Sequence, residues 1–135
     1  MLPSIVITVS ISREVANVYG FLVNPFNWPQ WASGLSRGIR HENGIWYADS
    51  PSGELPVRFT PANEYGVLDH YISPAGVPAA GVPEVYVPLR VVANDDGSDV
   101  ILTLFRQPGM SDADFKRDQD WVQRDLATLK QVLEQ

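Results

Sequence analysis

One histidine stands where it could move a proton. His70 sits between Leu68 and Ile72 in an alternating run, which places its ring on an apolar face. A free imidazole titrates at about pH 6.5, suited to general acid or base work near neutrality. The same ring would serve equally as a hydrogen-bonded core group, or as one that orients a ligand without chemistry. His41, beside the turn Glu42-Asn43-Gly44, is expected in solvent. Asp118 falls on the apolar stripe of a long helix, between Phe115 and Val122, where an unpaired charge is costly. Its expected partner is Arg106, which ends a strand whose Val100, Leu102 and Leu104 alternate inward. Such a pair either presents polar groups to a ligand or ties strand to helix. Tyr47, Tyr71 and Tyr86 are further polar handles that alternation assigns to no face.

The elements that hold these groups follow from periodicity. Residues 5–11 alternate as a half-buried strand. Ser12 is placed to cap a helix carrying Val15, Val18, Tyr19 and Leu22, and the prolines at 25 and 29 mark a second, short helix over 25–31. Strands are expected over 35–41, 45–49, 55–60, 65–72, 85–93 and 100–106. The short polar gaps between most of them favour hairpins and an antiparallel meander. Residues 73–83, rich in Pro, Gly and Ala, read instead as a loop at a cavity mouth. Ser111 opens a last helix over 112–134, whose Phe115, Val122, Leu126, Leu129 and Leu133 form one stripe. The class is therefore α+β: about seven antiparallel strands wrapped around a long C-terminal helix, with two short helices after strand 1. One helix on one curved sheet cannot close its interior, so a cavity is expected.

Register sharpens the placement of His70. With Arg58 opposite Asp69, the residues Leu55, Val57, Phe59, Leu68, His70 and Ile72 share the inner face. Arg58, Asp69 and Arg90 then form a ladder on the outer face, read either as an anion site or as a structural ion-pair network.

Composition narrows the partners. A chain of 135 residues is one domain, and its 44% hydrophobic and 19% charged residues are ordinary for a globule. A net charge of −6 and a pI near 4.7 argue against nucleic acid. Without cysteine there is no disulfide and no thiol catalysis, and two histidines alone make a structural zinc site improbable. No apolar run nears the roughly 20 residues needed to span a bilayer. Phosphate-loop, dinucleotide, serine-elbow and paired-histidine motifs are absent. The expectation is a cytoplasmic, cofactor-free protein, monomer or homodimer.

The segments Val18-Tyr19, Phe21-Leu22, Asn24-Pro25 and Asn27-Trp28-Pro29-Gln30-Trp31 resemble the START-like (SRPBCC) superfamily. This helix-grip group includes polyketide cyclases and dehydratases, lipid-transfer domains and birch-pollen-allergen-like proteins. The element order is similar over essentially the whole chain. Gly66-Val67-Leu68-Asp69-His70, Pro88-Leu89-Arg90-Val91-Val92 and Arg106-Gln107-Pro108-Gly109-Met110 look like one bacterial branch of it. The resemblance implies a pocket for a lipid, polyketide or aromatic metabolite. Bounded by the Trp28–Trp31 segment, Phe59, His70 and the Phe115–Leu126 helix face, that pocket is expected to prefer a neutral or weakly anionic apolar compound. The residues expected to contact it are Trp28, Trp31, Trp46, Phe59, Leu68, His70, Arg106, Phe115, Asp118, Val122 and Leu126. No residue matches a cyclase catalytic motif, so His70 is an acid/base candidate on its own chemistry only. Two other functions stay open: a cofactor-independent cyclase or dehydratase using His70, and a protein-interaction module.

Overall fold

The alternation at the N-terminus becomes β1 (Ser4–Ile11), with Ile7 and Ile11 buried and Val6 in solvent. The computed structural model describes residues 1–33, 37–51, 53–74 and 83–135. After β1 come α1 (Val15–Leu22) and a 3-10 helix (Pro25–Gln30), the two short helices expected there. Asn24 caps the second by accepting the Phe26 N–H at 3.1 Å, and Pro25 fills its first position. Ser12 does not cap α1. The N-cap is Glu14 without a side-chain bond, and the Ser12 N–H donates to the Glu134 carboxylate at 2.8 Å. That contact ties the chain's last turn to the end of β1.

The strands are β2 (Ile39–Glu42), β3 (Ile45–Ser50), β4 (Gly53–Phe59), β5 (His70–Ile72), β6 (Val85–Val87), β7 (Leu89–Asn94) and β8 (Gly97–Phe105). With β1 they make eight among the described residues, in two antiparallel sheets ordered β1-β8-β7 and β2-β3-β4-β5-β6. The expected count of about seven rises by one because the run 85–93 divides at Pro88. Proline offers no N–H to continue a ladder, so the chain changes partner there. Before it β6 pairs with β5, and after it β7 pairs with β8. The expected strand 35–41 begins only at Ile39, and positions 34–36 lie outside the described residues, as do Ser52 and most of the expected loop, 75–82.

Residues 66–68 join the two sheets. Leu68 N–H donates to the Leu89 carbonyl at 2.8 Å, Val91 N–H to the Gly66 carbonyl at 2.9 Å, and Val67 pairs with Arg90. The expected strand over 65–72 is therefore only three residues of β5 preceded by a shaped loop. The Asn63 carboxamide organises that loop, accepting the N–H groups of Tyr65 and Val67 and donating to the carbonyls of Pro61 and Val67.

This loop moves the register by two residues, so Arg58 faces Tyr71 and Phe59 faces His70. An even slip preserves both faces. His70 stays inward, 2% exposed. Asp69 points the other way, yet is 6% exposed because the Tyr86 hydroxyl, the Leu89 N–H and a bidentate Arg90 close over it. Burial alone would raise the Asp69 pKa, but those donors outweigh it and hold the carboxyl below its usual range. The expected three-residue ladder is thus corrected to one pair, Asp69–Arg90. Arg58 instead bonds Glu84 at 2.9 Å and lies over the Tyr71 ring.

Ser111 caps α2 (Asp112–Leu133) by accepting the Asp114 N–H at 3.0 Å. Its second half buries Leu126, Leu129 and Leu133 in the core with Ile7, Ile11, Leu89 and Val100. Its first half carries only partly buried apolar residues on the same stripe. The space left beneath that half is the site. Among the described residues no helix is long and apolar enough to cross a membrane.

Candidate ligand-binding cavity

A cavity of about 340 Å³ lies between α2 and the inner face of the sheets. Its apolar wall comes from Leu55, Ile72, Val85, Val87, Leu102 and Leu104, each on a strand. Trp28, Trp31 and Ala32 form another side, with Ser50 and Pro51 near the β3–β4 turn. From α2 come Arg117, Asp118, Trp121, Val122, Asp125 and Leu126, a set at helical spacing.

Six of the eleven residues expected at a ligand lie on this wall: Trp28, Trp31, His70, Asp118, Val122 and Leu126. The other five are placed elsewhere among the described contacts. Trp46 sits between Phe26, at 5.1 Å edge-on, and a stacked His41 at 4.3 Å. Phe59 stands behind Trp28, ring to ring at 5.1 Å. Leu68 is buried in the core beside the sheet junction. Phe115 is partly buried near the start of α2. Arg106 does not reach Asp118, because the turn after β8 brings the Met110 carbonyl and Asp112 to its guanidinium first. Asp118 instead meets Arg117 at 3.5 Å. Burial raises the Asp118 pKa, and Arg117 offsets that only in part.

Trp121 and Asp125 were not foreseen. Helical spacing from Asp118 was the available signal, since 118, 121, 122 and 125 share one face. Asp125 is 8% exposed and accepts a hydrogen bond from the Ser33 hydroxyl at 2.7 Å.

His70 is the deepest polar group on the wall. Trp28 meets it edge-on at 4.9 Å, and Phe59 lies at 6.1 Å. Its Nδ1 is 3.3 Å from the Leu68 carbonyl, which can only accept, so that contact assigns the proton to Nδ1 and leaves Nε2 a lone pair. Trp28 donates its indole N–H to the Leu22 carbonyl at 2.9 Å. The Trp31 Nε1, by contrast, is buried with no hydrogen-bond partner among the described residues.

Burial pushes the His70 pKa from 6.5 down to about 4, the Leu68 carbonyl and Asp69 opposing this only weakly. Between those two values the unfolded chain binds the proton and the fold does not. Stability from this group is therefore complete above about pH 6.5 and falls away on acidification, by about 3 kcal/mol at pH 4. We expect urea midpoints to show wild type losing that much more than His70→Gln between pH 7 and pH 4. Equal losses in the two proteins would refute the buried, neutral assignment.

No protein-family model and no curated protein matches the chain. Solved structures do. XoxI from Bacillus cereus superposes with a TM-score of 0.77 at 15% identity, over 98% of this chain and 96% of its own. DynU16, from the dynemicin biosynthetic locus, gives 0.71 at 17% identity over 97% of this chain and 47% of the longer DynU16 chain. Ara h 8.0201 gives 0.67 at 13% identity over 98% of both. At such identities the likeness speaks for the fold alone: antiparallel strands gripping a long C-terminal helix, which this chain shares with all three.

Proposed function

We propose that the chain is a START-like domain that holds a small, mostly apolar molecule between α2 and the sheets. The observation that carries this is the cavity itself. It has about 340 Å³ walled mainly by aliphatic strand residues and tryptophans, within the range of roughly 300–1,000 Å³ common to ligand pockets. Burial would supply most of the affinity, at about 25 cal/mol for each Å² of apolar surface removed from water. The fold shared with Ara h 8.0201 and DynU16 is consistent with such a role. A second reading, a cofactor-independent cyclase or dehydratase, draws on His70 standing on the cavity wall. An imidazole held near pKa 4 is a weak base and is unprotonated at neutrality, so binding is the better supported reading.

Native mass spectrometry of protein purified from its own host tests the proposal. We expect an adduct that survives gentle ionisation, is lost on denaturation and partitions into organic solvent. A bare mass, together with no binding of a hydrophobic fluorescent probe, would defeat it.

A further inference from the structure

β6 and β7 are consecutive across Pro88, which leaves β1 and β2 as the outer edges of the two sheets. These edges are built differently. β2 is four residues long and carries Arg40, which bonds Glu54 at 2.7 Å and also pairs with Glu42. A short, charged edge of that kind discourages another strand from adding. β1 is eight residues long, rich in Ile and Val, and holds neither a charge nor a proline. Its register with β8 runs one to one over all eight residues, so no bulge bends it away.

Alternation says which main-chain groups of β1 lie open. Arg106 donates to the Pro3 carbonyl at 2.9 Å, so the odd residues of β1 bond β8 and the even ones turn their N–H and C=O outward. The last turn of α2 closes the far end of this outward row. There Lys130 Nζ donates to the Ser10 carbonyl at 2.7 Å, and the Ser12 N–H donates to the Glu134 carboxylate at 2.8 Å. The outward groups of Ser4, Val6 and Thr8 have no such partner among the described residues. All three side chains are exposed, Val6 by 59%. Ile5 faces the core side and is still only partly buried.

We propose that β1 pairs with β1 of a second copy, antiparallel about a two-fold axis at Val6, joining two three-stranded sheets into one. The open row is self-complementary in that register. It sets Ser4 against the second copy's Thr8 and Val6 against the second copy's Val6, and each such pair exchanges two main-chain bonds. No charge in β1 meets its like. Ile5 of each copy comes against Ile7 of the other, which covers the apolar surface that the lone edge leaves in water. The charged β2 edge does not extend the assembly, so pairing closes at two copies. The proposal is independent of what the cavity holds.

Sedimentation velocity over a dilution series, with amide hydrogen exchange, tests it. Wild type should pass from monomer to dimer with concentration, and the Val6 and Thr8 amides should gain protection as it does. Each copy carries a net charge of −6, so added salt should tighten the dimer. Val6→Lys and Val6→Glu should each raise the dissociation constant about tenfold or more, because like charges then face each other across the axis. An equimolar mixture of the two variants should recover the dimer, since unlike charges then meet. Should either variant fail to fold, the concentration-dependent protection in wild type decides alone. A wild type that stays monomeric to millimolar concentration overturns the proposal and leaves the edge to a strand of another protein. A dimer that Val6→Lys does not weaken, or an assembly that grows past two copies, overturns it as well.

Discussion

Gly66→Ala is expected to destabilise the fold by about 3 kcal/mol or more. Two penalties add at that position. Its φ of +71° lies in the left-handed region, worth about 1–2 kcal/mol to an alanine. A Cβ there would also sit 2.2 Å from the Val91 carbonyl oxygen, a backbone atom that cannot swing aside. The Gly66 carbonyl meanwhile accepts the Val91 N–H, so yielding to the methyl loosens the junction of the two sheets. Gly44 separates the two penalties, having φ +77° and nothing within 4 Å of its would-be Cβ. Gly44→Ala should cost only about 1 kcal/mol. Asparagine tolerates the left-handed region but carries the same Cβ, so Gly66→Asn should be nearly as damaging as Gly66→Ala. Urea midpoints measure all three, and equal costs at 66 and 44 would show that the close approach is not real.

That junction also marks where the sequence stops being legible. β1 and α2 were readable because each carries one strong period and, for α2, a serine cap. The β2–β3 turn was readable because Asn43 and Gly44 supply two positive φ values in succession, which a two-residue hairpin turn needs. The loop over 60–69 was not. Nothing in a pattern of apolar residues announces that the Asn63 side chain will bind four backbone groups and delay β5 until His70. The inward face of His70 survived because the resulting slip was even. Arg106 shows the reverse case: its partner depends on how the chain turns after β8, which alternation within β8 cannot report. The cavity was expected as a consequence of the architecture, but Ser33, Asp125 and Trp121 enter its chemistry through tertiary placement.

Leu126→Trp should lower binding of a hydrophobic fluorescent probe more than tenfold while leaving the protein folded. Leu126 is 2% exposed and lies where the core of α2 gives way to the cavity wall. Its neighbours toward the C-terminus, Leu129 and Leu133, are closely packed, so a larger side chain has room only toward the cavity. An indole there fills volume that a ligand would otherwise occupy. The fold pays about 1–3 kcal/mol for the remaining overpacking, within the marginal stability of a domain of this size. Val122→Trp, one turn earlier on the same wall and only partly buried, should block the probe with less strain. It covers the case in which Leu126→Trp unfolds. Thermal melts and probe titrations on both variants separate loss of the site from loss of the fold. If both stay folded and bind the probe as wild type does, the apolar molecule is not held beneath α2. The chain would then have to be read as an interaction module.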